Sequence, residues 1–540
     1  MTAQASAPAE TSIPVSPPQA AVPSGLRLRH RLVAAALSGV LLILCFPKYD
    51  WESLAWVVLI PMLAAVEDLS PRRAFWLGGL TGMVGYTGIL WWVTITMTRY
   101  GNLPLFVAWA VLLMLAAYMS LYTGAFCALL CRFGGNSRPL RFALAPFLWT
   151  ALELLRTHFL TGFPWAALGY TQYATLPVIQ IADVTGVYGV SFLVVLANAA
   201  LWGVLREFLP GSPKERNRSA WWALACAVIV VGSALLYGRG RLQASGEGSA
   251  EASVKVALLQ GNIAQELKWD EEYRRKSLEV YRKLTLKYAQ EKPDLIVWPE
   301  TAAPFFFLRD KALQKTVLDL AAEVRTPLLV GAPSVAIRGQ KYRLRNSAFQ
   351  VTPEKRMDGQ YHKMHLVPYG EYVPLKRLFP FIRKVATGIG DFLPGSRRTV
   401  FPHAKAPFSV LICYEVIFPG EVRRFVRGGA RMLVNITNDA WFGRSAAPYQ
   451  HMAIAALRAV ENRVPLIRAA NTGISGVVDA TGRIRKATDL FVRTGVVTSV
   501  VPGRPGGLTF YTRYGDVFAY LCAALTLLIF GFNWRATRGR

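Results

Sequence analysis

Eight apolar stretches constrain this chain more than any other feature of its sequence. A transmembrane helix needs about 20 consecutive, mostly apolar residues. Stretches that approach or exceed this length lie at residues 29–46, 52–66, 73–97, 105–131, 140–158, 181–205, 219–237 and 514–533. The sequence therefore predicts a multi-pass α-helical membrane domain with seven transmembrane helices in residues 27–237. An eighth transmembrane helix and a cytoplasmic tail are predicted in residues 514–540.

The placement of Lys and Arg in the short loops predicts the orientation of these helices. Short loops rich in Lys and Arg remain on the cytoplasmic side of a membrane. Basic residues flank the predicted spans at alternate loops: Arg27, Arg29, Arg31, Arg72, Arg73, Arg132, Arg138, Arg141, Arg206, Lys214, Arg216, Arg218, Arg535, Arg538 and Arg540. Both termini are therefore predicted to lie in the cytoplasm, which places residues 238–513 outside it.

The composition and net charge exclude some classes of function for this chain. The net charge of +28 is compatible with nucleic-acid binding, with contact to anionic lipids, or with loops that set the topology. No nucleic-acid-binding motif accompanies this charge, and the apolar stretches favour the last two explanations, so no nucleic-acid partner is expected. Residues 1–26 contain few large apolar side chains, and they are predicted to form a disordered arm.

Residues 238–513 have the pattern of an α/β domain. Short apolar, β-branched runs alternate with segments of helical periodicity. The predicted strands are residues 254–259, 295–298, 328–331, 347–351, 409–413, 432–436, 466–469 and 476–478. Because buried strands followed by helices indicate a layered fold, we expect strands in the centre and helices outside them.

Three motifs in this domain place a reactive side chain at or near the end of a strand. Glu300 follows Trp-Pro, Lys363 stands between two histidines, and Cys413 is the one cysteine outside the apolar stretches. A thiolate attacks carbonyls, a carboxylate accepts the thiol proton, and an ammonium stabilises an oxyanion. The backbone N–H of Tyr414 is a natural second oxyanion donor. Taken singly, each side chain also has a structural interpretation, as a buried strand end, a turn carboxylate or a solvated charge.

The order and the flanking sequences of these motifs resemble those of a known protein family. Residues 298–300, 361–371 and 413–415 resemble the motifs of the carbon-nitrogen hydrolase (nitrilase) superfamily, and specifically those of its apolipoprotein N-acyltransferase family. Further matching segments are residues 162–165, 260–262, 438–443, 450–451 and 468–473. The resemblance covers nearly everything after the N-terminal arm.

This resemblance implies both a fold and a reaction. Residues 238–513 are expected to form a nitrilase-like four-layer (αββα) sandwich outside the cytoplasm. The implied reaction moves a fatty acyl group from the sn-1 position of a phospholipid, through a Cys413 thioester, to the N-terminal α-amine of the diacylglyceryl-cysteine of an apolipoprotein. The implied location is the bacterial cytoplasmic (inner) membrane, with the catalytic domain on the periplasmic side.

The resemblance also assigns roles to the three reactive residues. Cys413 would be the nucleophile, Glu300 the general base and Lys363 the oxyanion stabiliser. Glu371 would be a second carboxylate that holds Lys363 or relays a proton.

Other residues receive weaker assignments. Tyr414 and Glu415 are expected to support the nucleophile, Glu415 in a structural role. Trp269 resembles a family position near the substrate entrance, and it is equally compatible with an interfacial anchor. His365 and His451 do not form a metal-ligand set, so no metal and no cofactor are expected. The enzyme is expected to act as a monomer.

Two alternatives remain open at this point. A membrane-tethered nitrilase-type amidase would use the same three residues with water or ammonia as the acceptor, although one span would suffice as a tether. A transporter whose outer domain has lost catalysis would belong to another class of protein. Transporters usually show paired repeats with broken helices, and the sequence shows no such symmetry.

Overall fold

The protein, as seen in a computed structural model, is described for residues 26–134, 138–209, 218–246, 253–264, 271–338, 341–372 and 392–538. The predicted arm at residues 1–26, apart from its last residue, lies outside the described residues. Trp269 also lies outside them.

The described residues before the soluble domain form helices joined by turns and short irregular segments. Their helices are α1 (Leu28–Cys45), α2 (Ile60–Val66), α3 (Pro71–Ile89), α4 (Trp92–Ile95), α5 (Leu105–Phe133), α6 (Arg138–His158), α7 (Leu176–Ile179), α8 (Ala182–Thr185), α9 (Val187–Leu205) and α10 (Arg218–Gly246). The short helix α15 (Phe510–Tyr514) and one further long helix, α16 (Val517–Arg538), end the described chain.

Five helices in the described parts of the chain are long and apolar enough to cross a membrane. They begin at Leu28, Leu105, Val187, Arg218 and Val517, and a sixth span arises if α3 and Trp92–Tyr100, bent by 49°, are counted as one. The stretch at 52–66 holds a 3-10 turn and the short helix α2, and α6 carries several charged residues. The total of eight spans therefore stays a prediction.

Contacts at one end of the helical bundle bring several loops together. The Arg31 guanidinium donates to the Glu67 carbonyl oxygen at 2.6 Å, and the Glu67 carboxylate pairs with Arg206. The side-chain amide of Asn533 donates to the Phe133 carbonyl oxygen at 3.1 Å. The start of α1 and the ends of α2, α5, α9 and α16 therefore lie at the same end of the bundle.

The soluble domain contains two six-stranded sheets. The strands are β1 (Val254–Gln260), β2 (Leu295–Val297), β3 (Leu328–Arg338), β4 (Lys341–Val351), β5 (Met357–His362), β6 (Val400–Phe401), β7 (Phe408–Ile412), β8 (Met432–Thr437), β9 (Leu466–Ala470), β10 (Gly476–Val478), β11 (Ile484–Arg485) and β12 (Thr494–Val500). The first sheet has the order β12-β1-β2-β3-β4-β5 and the second β11-β10-β9-β8-β7-β6. All eight predicted strands are present, and β5, β6, β11 and β12 were not predicted.

Helices cover the outer face of each sheet. The helices are α11 (Glu271–Ala289) and α12 (Lys311–Val324) on the first sheet, and α13 (Pro419–Arg427) and α14 (Ala447–Asn462) on the second. Along β1, Val256 and Leu258 face the second sheet, whereas Ala257 and Leu259 face the helices, as the two-residue period of a strand requires. The result is the predicted αββα sandwich.

The helix α14 lies between the second sheet and the membrane helices. All of its residues except Tyr449 are buried, because the sheet covers one side and the bundle the other. Near its start, Gln450 accepts from the Trp165 indole at 2.7 Å and donates to the carbonyl oxygens of Pro47 and Ile89 at 3.2 and 3.1 Å. One continuous apolar core therefore runs from the bundle into the sandwich.

Candidate active site

Cys413 stands at the point where β7 ends. The strand closes at Ile412, one residue earlier than predicted, and Cys413 begins a 3-10 turn with φ of +53°. A left-handed backbone is unfavourable for a residue with a side chain, and such residues cluster at functional sites. The side chain is 8% exposed. The turn therefore holds the thiol rigidly at the carboxyl end of a buried parallel strand.

Lys363 and two carboxylates form a buried cluster at this site. The Lys363 ammonium lies 2.9 Å from Glu371 Oε2 and 3.9 Å from Glu300 Oε1. Burial alone would lower the pKa of Lys363, but the charges of Glu371 and Glu300 outweigh it and raise the pKa above its ordinary value. The side chain therefore remains an ammonium at neutral pH.

Asn346 on β4 joins the two carboxylates, and sequence analysis did not identify it. Its side-chain amide donates to Glu300 Oε1 at 2.6 Å and to Glu371 Oε1 at 3.0 Å. The backbone carbonyl oxygen of Asn346 accepts from the backbone N–H of Lys363 at 2.8 Å. Asn346 thus holds the Glu300 and Glu371 carboxylates and the backbone of Lys363 in place.

Glycine at position 331 is required for the approach of Glu300. A Cβ atom there would lie 2.3 Å from the Pro299 carbonyl oxygen and 2.8 Å from the Glu300 Cα. Any side chain would force the loop after β2 away from β3. We therefore expect even alanine at this position to displace Glu300.

The electrostatics of the site keep Cys413 protonated at rest. Burial raises the pKa of the Cys413 thiol to about 12, the Glu300 carboxylate adds to the rise, and the Lys363 ammonium opposes it. Both charged groups are thus close enough to act on the thiol. A thiol with this pKa needs a base to accept its proton at neutral pH.

Glu415 links the Lys363 segment to the nucleophile turn. Its Oε1 accepts from the Tyr361 hydroxyl at 2.7 Å and from the backbone N–H groups of Met364 and His365 at 2.7 and 3.2 Å. Its Oε2 accepts from the Ile412 backbone N–H at 2.7 Å. These bonds connect the end of β5 in the first sheet to β7 in the second sheet.

The remaining predicted residues are Tyr414, Trp269 and the two histidines. The Tyr414 ring centroid lies 5.1 Å from that of Phe418 and 6.0 Å from that of His365, and the Tyr414 backbone follows Cys413 directly. Trp269 lies outside the described residues, so its prediction is not tested. No group of three or more His, Cys, Asp or Glu residues within the described ranges has the arrangement of a metal site.

The other motif segments meet behind the nucleophile. The Asn471 side chain donates to the Ile263 carbonyl oxygen at 2.7 Å and to Asn438 Oδ1 at 3.0 Å. Arg468 donates to Asp439 Oδ2 at 2.7 Å. The motifs at residues 260–262, 438–443 and 468–473 therefore join the two sheets beneath the site.

Comparison with known proteins identifies the family. The family model described as the apolipoprotein N-acyltransferase N-terminal domain matches residues 38–200, and the carbon-nitrogen hydrolase model matches residues 255–502. A Geobacter metallireducens protein named apolipoprotein N-acyltransferase is 45% identical over 509 residues, which cover 94% of this chain and 96% of that protein. The chain belongs to the apolipoprotein N-acyltransferase family. The resemblance predicted from the motifs is thereby confirmed.

Further apolipoprotein N-acyltransferases show the same extent of similarity. The protein of that name from Vibrio cholerae is 35% identical, with 95% of this chain and 99% of that protein covered. Among solved structures, a nitrilase-superfamily protein from Saccharomyces cerevisiae is 18% identical with a TM-score of 0.36, covering 46% of this chain and 89% of that chain. The similarity to apolipoprotein N-acyltransferases therefore spans both the membrane helices and the soluble domain.

Proposed function

We propose that the protein transfers a fatty acyl group from the sn-1 position of a phospholipid, through a thioester on Cys413, to the N-terminal α-amine of a diacylated apolipoprotein. Family membership supports an acyltransferase of lipoprotein maturation. The observation that carries the mechanism is the buried cluster of Lys363 with Glu300 and Glu371, in which the charges of Lys363 and Glu300 both act on the Cys413 thiol.

In the first step, Glu300 accepts the thiol proton while Sγ of Cys413 attacks the ester carbonyl carbon. The oxygen of the tetrahedral intermediate becomes negative, and the Lys363 ammonium and the Tyr414 backbone N–H stabilise it. When this intermediate collapses, the bond to the glycerol oxygen breaks, and that oxygen takes the proton from Glu300. A lysophospholipid leaves, and the acyl group remains as a thioester.

In the second step, the lipoprotein amine attacks the thioester carbonyl. Glu300 accepts a proton from the amine, and the Cys413 sulfur leaves as the amide forms. The proton returns to the thiol, which restores the enzyme. Splitting one acyl transfer into two steps lowers the barrier of each, and a buried site protects the thioester from water.

The amidase alternative is less well supported. The candidate site is continuous with the bundle through α14, whose Gln450 bonds three membrane-domain segments. An amidase acting on small soluble substrates has no need of this connection, whereas an enzyme with two lipid substrates does.

The donor is tested with a labelled lipid. Purified enzyme is incubated with phosphatidylethanolamine labelled in its sn-1 acyl chain, without acceptor. We expect one acyl mass on the Cys413 peptide and an equal amount of lysophospholipid, because the ester is cleaved once per enzyme. A matched lipid labelled only at sn-2 should leave the protein unlabelled. Release of free fatty acid without protein label would contradict the proposal.

A second prediction concerns the pH dependence of the thiol. Because the pKa of Cys413 is about 12, its alkylation rate should rise about tenfold per pH unit over the range of about pH 7 to 10. Removing the negative charge with Glu300→Gln should lower that pKa and speed alkylation, yet slow thioester formation through loss of the base. Iodoacetamide labelling in a Cys226→Ala background measures the alkylation rate of Cys413. If this rate reached a plateau near the usual thiol pKa of about 8.5, the raised pKa would be contradicted.

The proposed orientation places residues 238–513 in the periplasm and both termini in the cytoplasm. The convergence of the Arg31, Glu67 and Arg206 loops at the bundle end opposite Gln450 supports it. We further propose that residues 27–237 cross the inner membrane seven times, that residues 514–540 add an eighth span and a cytoplasmic tail, and that the enzyme acts as a monomer.

Two single cysteines test this orientation in a Cys226→Ala background. Lys315→Cys lies on the exposed face of α12, and Ser70→Cys lies at the exposed start of α3. A membrane-impermeant maleimide should label Lys315→Cys on spheroplasts, and Ser70→Cys only after the membrane is disrupted. The reverse pattern would place the catalytic domain in the cytoplasm.

A further inference from the structure

The helix α14 lies across the ends of several membrane-domain helices. Near its start, Gln450 donates to the carbonyl oxygens of Pro47 and Ile89, which lie at or just after the ends of α1 and α3. Near its end, Glu461 accepts from the backbone N–H of Val187, the first residue of α9, at 3.1 Å. Because helix ends make these contacts, the outer helix layer of the second sheet faces the membrane surface.

The helix α13 belongs to the same layer and carries arginines on its outer side. Val422, Phe425 and Val426 are buried in the apolar core. Arg424 and Arg427 are exposed on the opposite side of the helix. These two guanidinium groups therefore point away from the sheet, in the direction in which α14 meets the bundle.

The helix α15 extends this surface toward the last membrane helix. Arg423 on α13 donates to the Thr512 carbonyl oxygen on α15 at 3.2 Å. A Cβ atom at Gly515 would lie 2.8 Å from the Arg423 guanidinium carbon, so the two segments pack closely. Three side chains of α15 are exposed, namely Phe510, Arg513 and Tyr514. The surface therefore ends close to the start of α16 at Val517.

Positive charge is in excess on this surface. Arg424 shares the Glu421 carboxylate with Arg398, at 2.9 and 2.7 Å. Arg427 and Arg513 form no ion pair with any residue that the structure describes. In the proposed orientation both lie outside the cytoplasm, where Lys and Arg are not needed to set the topology. The excess charge therefore indicates an anionic partner.

We propose that this surface binds the headgroup of an anionic phospholipid beside α16. We name it the arginine face, and it comprises Arg424, Arg427, Arg513, Phe510 and Tyr514. Guanidinium groups donate paired hydrogen bonds to phosphate oxygens, and Tyr side chains lie at the headgroup level in membrane proteins. The bound lipid holds the catalytic domain against the membrane and is not consumed. The inference is independent of the proposed reaction at Cys413.

Lipid binding is measured on the purified full-length enzyme with phosphatidylglycerol whose chains are ether-linked. An ether-linked chain cannot be transferred, so this probe cannot act as an acyl donor. Native mass spectrometry gives the bound fraction at each lipid concentration. We expect Arg427→Gln/Arg513→Gln to bind the probe about 30-fold more weakly than the wild type, because each basic residue near an anionic surface contributes about fivefold in affinity. Ether-linked phosphatidylethanolamine, which has no net charge, should show no such difference between the two proteins.

The matched control removes two charges from the opposite side of the soluble domain. Arg275 on α11 and Lys311 on α12 are exposed in the helix layer farthest from the bundle. Arg275→Gln/Lys311→Gln should therefore bind the probe like the wild type. Wild-type binding by Arg427→Gln/Arg513→Gln, or an equal loss in both double variants, would overturn the inference. Displacement of the probe by inorganic phosphate at the same concentration would also overturn it, because the face would then be a general anion site.

The Cys413→Ala protein separates this inference from the proposed function. It should bind the ether-linked probe like the wild type, because the arginine face lies on the outer side of the helix layer. Thioester formation by this variant would refute the proposed reaction and leave the lipid-binding result unchanged. Loss of probe binding in Cys413→Ala would instead place the lipid in the active site, and the inference would be wrong.

Discussion

Replacement of Cys413 by alanine is expected to abolish lipoprotein N-acylation. Without the thiol no covalent intermediate forms, and removal of a catalytic nucleophile costs on the order of 10⁴-fold to 10⁶-fold in kcat. The side chain is small and buried, so the fold should persist. Mass measurement of lipoprotein N-termini, together with the search for acyl mass on the peptide that contains residue 413, checks both parts of this prediction.

The matched control removes a different thiol. Cys226 lies exposed on α10, away from the soluble domain, and Cys226→Ala is expected to keep wild-type activity. Cys413→Ser provides a second comparison, because a hydroxyl in this site is far less acidic than a thiol and should not form the ester at a measurable rate. Undiminished N-acylation by Cys413→Ala, in cells without another such enzyme, would remove the proposed mechanism.

Strands were predictable from the sequence where their residues form a continuous apolar run that is buried along its whole length. The strands β7, β8 and β9 are buried along their whole length and pair in parallel, so their apolar sequences stand out without any alternation. The strand β5 is largely polar and half of its residues are exposed, and its register against β4 rests on backbone bonds that leave no local pattern. In contrast, β12 is rich in Val and Thr, so its sequence did contain the signal.

The reactive groups of the candidate site were predictable from the sequence, but the residues that position them were not. Glu300, Lys363 and Cys413 come from three motifs that each follow a strand, and the carboxyl ends of those strands bring them together. Asn346 lies inside a strand among basic residues, and its role depends on where Glu300 and Glu371 lie in space. No spacing in the chain encodes that contact.

Replacement of Lys363 by methionine is expected to affect both activity and stability. The ammonium stabilises the oxyanion, so its loss should reduce the rate of thioester formation on the order of 10²-fold to 10³-fold. It also compensates two buried carboxylates, Glu300 and Glu371. Removing one partner of a buried ion pair leaves an uncompensated charge and costs about 3–5 kcal/mol. Thermal unfolding and single-turnover acylation measure the two effects separately.

A double substitution separates catalysis from charge balance. Glu371→Gln removes one negative charge and keeps an acceptor for the Val367 N–H, which Glu371 now binds at 2.9 Å. In the Lys363→Met/Glu371→Gln protein, most of the lost unfolding temperature should return, because fewer buried charges lack a partner. Acylation should stay as low as in Lys363→Met, since no ammonium faces the oxyanion. If acylation recovered together with stability, Lys363 would be a structural cation, and oxyanion stabilisation would have to come from backbone N–H groups alone.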